Sequence, residues 1–131
     1  MDDISKSETP FPHREGNLYN IHYLVHWCDG DIVGTIEKHI DWIRKVYEKM
    51  TPYVSSNPRG AYLNYGDLDL GSNGDDKRTA YSEAERWGLK YFKNNFKRLA
   101  IMKGEVNPNN FFAFEQSIPP LILDEGKRET D

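Results

Sequence analysis

The stretch SEAERWGLKYFKNNFKRLA, residues 82–100, predicts two consecutive helical segments. Ser82 followed by Glu85 matches a capping box, a pattern that starts helices. Apolar and small residues then recur at loosely helical spacing, and the pair Asn94-Asn95 interrupts the pattern before it resumes. The residues on this stripe are Ala84, Trp87, Leu89, Tyr91, Phe92, Phe96, Leu99 and Ala100. An Asn-Pro-Asn-Asn turn at 107–110 ends the second segment, and residues 111–123 are expected to lie extended over a surface.

The upstream half predicts a strand, a helix and a second, short strand. Residues 18–27 are rich in aromatic and β-branched side chains, which suit a pleated surface. Residues 32–50 carry apolar side chains every three or four positions, and Pro52 closes this helix. Residues 61–65 form the short strand candidate. Strands and helices together predict an α+β fold. Alternation along the first strand would place on one face Tyr19, Ile21, Tyr23, Val25 and Trp27.

Composition excludes several functional classes. The net charge is −4, from 17 basic and 21 acidic residues, so the basic face that binds nucleic-acid phosphates is not expected. A single cysteine, Cys28, excludes an internal disulfide and a cysteine-rich zinc site. No run approaches the ~20 apolar residues of a membrane span. The first five residues lack the features of a signal peptide. Taken alone, these features predict a soluble intracellular protein, provided that Met1 is the start of the parent protein.

Three isolated motifs each have a simpler interpretation. On a strand, His22 and His26 would lie roughly 13 Å apart, so solvated or pocket-lining histidines are favoured over a metal pair. The loop that begins at Asp69 resembles half of a calcium loop, but Ala80 stands where the bidentate glutamate belongs. A turn of small polar residues is therefore favoured there. Cys28 has only His26 nearby to activate it, which favours a structural thiol over a nucleophile.

Tyr62, Asn64 and Tyr65 place polar and aromatic side chains together on the short strand candidate. A free phenol loses its proton only near pH ~10, so a tyrosine serves as a base only where its anion is stabilised. Composition by itself favours tyrosines of the core or its rim.

Three strings of this sequence resemble the C-terminal end of the plant berberine bridge enzyme-like FAD-linked oxidases. They are AYLNYGDLDLG at 61–71, WGLKYFKNNFKRL at 87–99, and VNPNNFF at 106–112 followed by EQSIPP at 115–120. The residues up to about position 47 resemble the substrate domain that precedes this end. The resemblance implies the C-terminal part of an antiparallel-sheet substrate domain with covering helices, followed by the berberine-like segment.

The resemblance divides the chain into four parts. Residues 1–17 would be a polar N-terminal tail, and 18–58 the end of the substrate-binding domain. Residues 59–120 would be the berberine-like C-terminal domain, and 121–131 a disordered tail. Family members are much longer, and their N-terminal flavin domain supplies the residues that attach FAD covalently. The chain is therefore interpreted as a C-terminal portion that is inactive by itself.

The resemblance also implies a chemistry. FAD would accept a hydride from a small metabolite, and oxygen would be the electron acceptor. Tyr65 corresponds to the catalytic base, Tyr62 and Asn64 to cofactor-contacting positions, and Asn20 and His22 to substrate-contacting positions. Strand alternation would put Tyr62 and Asn64 on the face opposite Tyr65, so they could share one site only through backbone contacts or a bend.

Three positions depart from the family pattern. Alcohol-oxidising members tend to have Lys where Asn20 stands and Gln where His22 stands. Arg is usual where Gly66 stands. Two cations that would stabilise a tyrosinate are therefore missing here. A protonated His22 would replace part of that charge.

Other functions remain open. The chain is expected to have a small-molecule substrate and, as a possible partner, a flavin domain or a paralogue. A non-enzymatic fragment that docks through the 19–27 apolar face is one alternative, because such a face is a binding surface when uncovered. A non-functional truncated product is another. Complete family members are expected in the apoplast or vacuole, whereas this sequence shows no signal peptide.

Overall fold

The computed structural model describes residues 3–28, 30, 32–56, 59–74 and 79–123. The chain forms two compact units. We call Asn17–Arg59 the helical unit. We call Met1–Gly16 together with Gly60–Asp131 the core unit. The predicted disorder of residues 124–131 lies outside the described residues.

The helical unit contains one long helix. Helix α1 spans Val33–Met50, within one residue of the predicted range, and a short 3-10 turn follows at Thr51–Tyr53. Arg59 stabilises this end: its Nη2 donates to the Thr51 carbonyl at 2.8 Å, and its guanidinium lies 5.4 Å from the centre of the Tyr47 ring. None of the α1 side chains is buried, so the apolar stripe of this helix has no core in the described part of its unit.

The core unit is built on two helices that pack on one another. Helix α2 spans Tyr81–Phe92 and helix α3 spans Asn95–Val106, which confirms the break predicted at the two asparagines. Lys93, at the break, has φ 48 and ψ −131, a conformation that non-glycine residues rarely adopt. The buried side chains between the helices are aromatic and small: Ala84, Trp87, Tyr91, Phe92 and Phe96.

The predicted capping box is wrong in position. Helix α2 starts at Tyr81, and Ala80 is its N-cap without a side-chain hydrogen bond. Ser82 is already inside the helix. The Tyr81 ring stacks on Phe96 at 5.0 Å between centroids, so packing against α3 favours a helix that begins two residues earlier than the capping box indicates.

The two predicted strands are not formed in the described residues. Residues 18–27 are irregular, and the chain turns at 63–65. A strand requires a neighbour for its N–H and C=O groups, and a lone segment gains nothing from being extended. The antiparallel sheet of the α+β prediction is therefore not confirmed, whereas its helices are.

The segment after α3 lies along the core unit, as predicted. The Asn107–Asn110 turn is closed by the Asn110 N–H, which donates to the Asn107 carbonyl at 2.9 Å. Further on, the Leu121 N–H donates to the Ala100 carbonyl at 2.9 Å. Gln116 and Ser117 are buried. Across the described ranges, no helix has the length and apolar character needed to cross a membrane.

Candidate functional site

The turn at residues 62–65 brings the three predicted site residues of this region together. We call it the tyrosine turn. Its backbone closes when the Tyr65 N–H donates to the Tyr62 carbonyl at 2.9 Å. The two phenol rings then lie edge to face, 5.2 Å apart between centroids. The Asn64 amide Nδ2 donates to the Tyr62 hydroxyl at 2.9 Å.

This geometry corrects the prediction that Tyr62 and Asn64 face away from Tyr65. Alternation holds only where the backbone is extended, and here a turn reverses the chain within four residues. A bend, one of the two routes to a shared site, is therefore present. Tyr65 is 47% exposed and Asn64 is also exposed, so the polar groups of the turn are accessible.

An aromatic row from the N-terminal segment supports the tyrosine turn. The Phe11 ring meets the Tyr62 ring at 5.9 Å between centroids and an interplanar angle of 81°. The Arg14 guanidinium lies 5.4 Å from the centre of the Phe11 ring. Edge-to-face pairs of this kind are worth about 0.5–1.5 kcal/mol beyond area burial. Phe11 thus restrains Tyr62, and Tyr62 borders Tyr65.

Two buried side chains hold the backbone just after the tyrosine turn. The Tyr91 hydroxyl accepts from the Asp67 N–H at 3.1 Å and donates to Gln116 Oε1 at 2.8 Å. Gln116 Nε2 donates to the Asp67 carbonyl at 2.7 Å. Burial raises the pKa of Tyr91, which keeps this phenol protonated and able to donate.

Sequence reasoning missed both of these residues as parts of the site region. Tyr91 was assigned to the apolar stripe of a helix, where its ring does lie. Gln116 lies in the string EQSIPP, which carried the resemblance but no assigned role. The available signal is an amide within an apolar, proline-containing segment. Such a segment packs on a core, and a polar group buried with it needs hydrogen-bond partners.

The predicted substrate residues lie in the other unit. Asn20 and His22 are exposed in the irregular 18–27 segment of the helical unit, whereas the tyrosine turn belongs to the core unit. Their assignment to substrate contact stays a prediction. His26 and Cys28 are exposed in the same segment.

The loop with the partial calcium motif is occupied by structural hydrogen bonds. Asn73 Nδ2 donates to the Phe114 carbonyl at 2.8 Å and to Ser117 Oγ at 3.1 Å. These hydrogen bonds tie the Asn73 side chain to the segment after α3, which gives this loop residue a structural role. In the part of the chain that the structure describes, no three His, Cys, Asp or Glu side chains are grouped as a metal site.

Gly66 leaves space beside the tyrosine turn. A Cβ added there would meet only Gln116 Oε1, at 3.6 Å, which is an ordinary contact. A Cβ therefore fits at this exposed position, where the resemblance associates an arginine.

The region around the tyrosine turn is similar to known proteins. Residues 61–119 match the family model described as "Berberine and berberine like". The chain is 58% identical over 123 residues to Berberine bridge enzyme-like 23 of Arabidopsis thaliana. The matched residues are 94% of this chain and 23% of the relative. This chain contains the domain of the berberine bridge enzyme-like family. Members of this plant family are FAD-dependent flavoproteins.

Two further members are similar over nearly the whole chain. Tetrahydroberberine oxidase of Berberis wilsoniae is 55% identical over 121 residues, covering 92% of this chain and 22% of the relative. A solved structure of a berberine bridge enzyme variant in complex with (S)-reticuline superposes with a TM-score of 0.79 at 39% identity. It covers 93% of this chain and 25% of the solved chain. The chain thus spans about a quarter or less of the length of these proteins.

Proposed function

We propose that these residues provide the proton-accepting side of the active site of a plant FAD-dependent oxidoreductase. The observation that carries the proposal is the tyrosine turn, where an exposed phenol, a second phenol and an amide converge within one bend. The family match and the relative named as an oxidase support the reaction class.

The donor set of the tyrosine turn fits a flavin. The ring system of FAD is flat, has a polar edge of nitrogen and oxygen atoms, and offers faces on which aromatic rings pack. Tyr62 and Asn64 present an aromatic ring, a hydroxyl and an amide on one bend. They are the residues that would contact FAD. When bound, FAD accepts a hydride from the substrate, and oxygen then removes the two electrons.

In this proposal Tyr65 takes the proton in its phenolate form, because a neutral phenol is too weak a base. Oxidation of an alcohol or a phenolic amine removes one hydride and one proton, and the proton requires an acceptor close to the substrate hydroxyl. Tyr65 is the exposed phenol of the turn, and a substrate can therefore reach it. Tyr62 packs against its ring and fixes its orientation. Asn20 and His22 would contact the remainder of a small plant metabolite.

Substitution Tyr65→Phe tests this role. The protein is this chain joined in register to the flavin-bearing remainder of Berberine bridge enzyme-like 23. Anaerobic flavin reduction is followed by stopped flow with a benzylisoquinoline, an aromatic allylic alcohol or a sugar that reduces the unsubstituted fusion. We expect the reduction rate to fall at least about 100-fold, because a positioned general base contributes ~10²–10⁴.

The control is Tyr53→Phe, which removes the hydroxyl of a 73% exposed tyrosine in the helical unit. It should reduce as fast as the unsubstituted fusion. A Tyr65→Phe protein with an unchanged reduction rate and pH profile would contradict the role of Tyr65.

A second candidate function is non-enzymatic docking. Leu18, Tyr19 and Leu24, all in the 18–27 segment, are 91%, 71% and 58% exposed, and exposed apolar side chains form binding surfaces. A flavin domain would cover them. Size-exclusion chromatography of the 131-residue chain mixed with a separately made flavin domain tests this, and separate elution of both proteins would contradict docking.

A further inference from the structure

Two buried side chains bind the backbone of Asp67, which follows the tyrosine turn. Its N–H donates to the Tyr91 hydroxyl, and its carbonyl accepts from the Gln116 amide. The hydroxyl also donates to Gln116, so the three residues form a closed ring of hydrogen bonds. We call this ring the Asp67 clamp. It ties the loop after the turn to helix α2 and to the segment after α3.

The clamp requires glutamine at position 116. Nε2 donates to two carbonyls, those of Asp67 at 2.7 Å and Gly71 at 2.6 Å. Oε1 accepts from the Tyr91 hydroxyl at 2.8 Å. Reversing the amide would place its oxygen against two carbonyl oxygens, which repel it. A glutamate at this position has no N–H group, so both hydrogen bonds to the carbonyls would be lost. Since Gln116 and Tyr91 are 3% and 2% exposed, water cannot replace a lost partner.

Only Gly66 separates the clamp from Tyr65. Glycine has the greatest backbone freedom of any residue. Its neighbours therefore keep a fixed relative position only when other contacts hold both of them. The turn's own hydrogen bond fixes Tyr65 relative to Tyr62, and the clamp fixes Asp67 relative to α2. The clamp therefore holds the side of the turn that follows Tyr65, whereas the Ala61 N–H, which donates to the Lys90 carbonyl at 3.0 Å, holds the side before it.

We propose that Gln116 and Tyr91 are positioning residues that set the place of Tyr65 in the active site. The proposal rests on the proposed function of Tyr65 and extends it to two buried residues that touch neither substrate nor cofactor. A small displacement of a catalytic group is enough to slow a reaction by ~10²-fold.

The test uses Gln116→Met and Tyr91→Phe in the flavin-bearing fusion. Tyr91→Phe removes one oxygen atom and keeps the ring in the core, so folding is expected to survive. Hydrogen exchange of peptides covering residues 62–71 is measured by mass spectrometry. Flavin reduction is measured across pH. We expect faster exchange in these peptides, a reduction rate lowered about 10-fold or more, KM within about twofold, and a displaced pH profile.

The matched control is Asn95→Leu. Asn95 is also a buried amide that donates to two carbonyls, at 2.8 Å to Lys6 and 3.0 Å to Thr9. Its loss should lower thermal stability while leaving the pH profile and the exchange of residues 62–71 unchanged.

Each outcome decides between the two proposals. If Gln116→Met and Tyr91→Phe keep the wild-type exchange or the wild-type pH profile, they are structural residues and the positioning role is overturned. If Asn95→Leu displaces the pH profile equally, the effect is general destabilisation and the role is also overturned. If Tyr65→Phe alone leaves reduction unchanged, the proposed function fails, whereas the exchange data still show whether the clamp holds the turn.

Discussion

At the scale of single residues, two buried amides fix the loops of the core unit. Asn95 holds the N-terminal segment through the carbonyls of Lys6 and Thr9, and Gln116 holds the loop after the tyrosine turn. Each amide donates to two backbone carbonyls. A lost partner leaves a buried polar group unsatisfied, at a cost of about 1–3 kcal/mol.

Gly66→Arg should increase the activity of the flavin-bearing fusion. The structure has room for a side chain there, and a guanidinium next to Tyr65 in sequence would stabilise a phenolate. We expect flavin reduction to become several-fold faster near pH 7, measured by stopped flow. Gly66→Gln is the neutral control of similar length. Equal rates for the two variants would show that charge is not the cause.

Gly88→Ala should destabilise the core unit. A Cβ at this position would lie 2.3 Å from the buried Phe96 ring, which has no free space to move into. We expect urea unfolding of the 131-residue chain to show a loss of about 1–3 kcal/mol, despite the better helix propensity of alanine.

The control for this substitution is Gly34→Ala. Its added Cβ, in helix α1, meets nothing within 4 Å. It should leave stability unchanged or raise it by up to about 1 kcal/mol. Equal losses at Gly88 and Gly34 would contradict the steric argument.

At the scale of elements, helix formation and helix burial are separate properties. All three helices form where the apolar spacing predicts them, but only α2 and α3 bury aromatic side chains in the described residues. The N-terminal segment completes their packing, because His13 Nε2 donates to the Tyr91 carbonyl at 2.9 Å and the imidazole lies against Gly60.

This contact predicts a pH-dependent stability. Burial lowers the pKa of His13 from 6.5, and the charge of Lys93 lowers it further. The unfolded chain therefore binds a proton more readily than the folded chain below that pH. The contribution of His13 to stability is present above pH 6.5 and is lost as the pH falls through the lowered pKa.

Thermal unfolding of the 131-residue chain at pH values from about 7.5 to about 5, the range in which histidines titrate, measures this effect. The midpoint should fall more steeply for the unsubstituted chain than for His13→Gln, which retains a donor for the carbonyl. Parallel curves for the two proteins would show that His13 does not titrate across folding.

At the scale of the whole molecule, these residues lack a recognisable site for the pyrophosphate of FAD. The sequence contains no glycine-rich strand-to-helix turn of the kind that holds this group. We expect the purified 131-residue chain to bind FAD weakly or not at all. Fluorescence titration with FAD measures the affinity, and a flavin band near about 450 nm co-purifying with the chain would contradict the prediction.

The sequence by itself determined the helices and the family resemblance of this protein. Apolar spacing fixed α1, α2 and α3 because a helix buries the face that recurs every three or four residues. The strings around Tyr65 and Gln116 carried the resemblance that the family match confirmed. These features depend on residues close together in sequence.

The tertiary structure alone decided the arrangement of the site. The clamp around Asp67 depends on contacts from Tyr91 and Gln116, which lie 24 and 49 residues away. No local pattern encodes such distances. Residues 18–27 also show that a local pattern is not sufficient. Their alternation favours a strand, but a strand forms only where another strand pairs with its backbone.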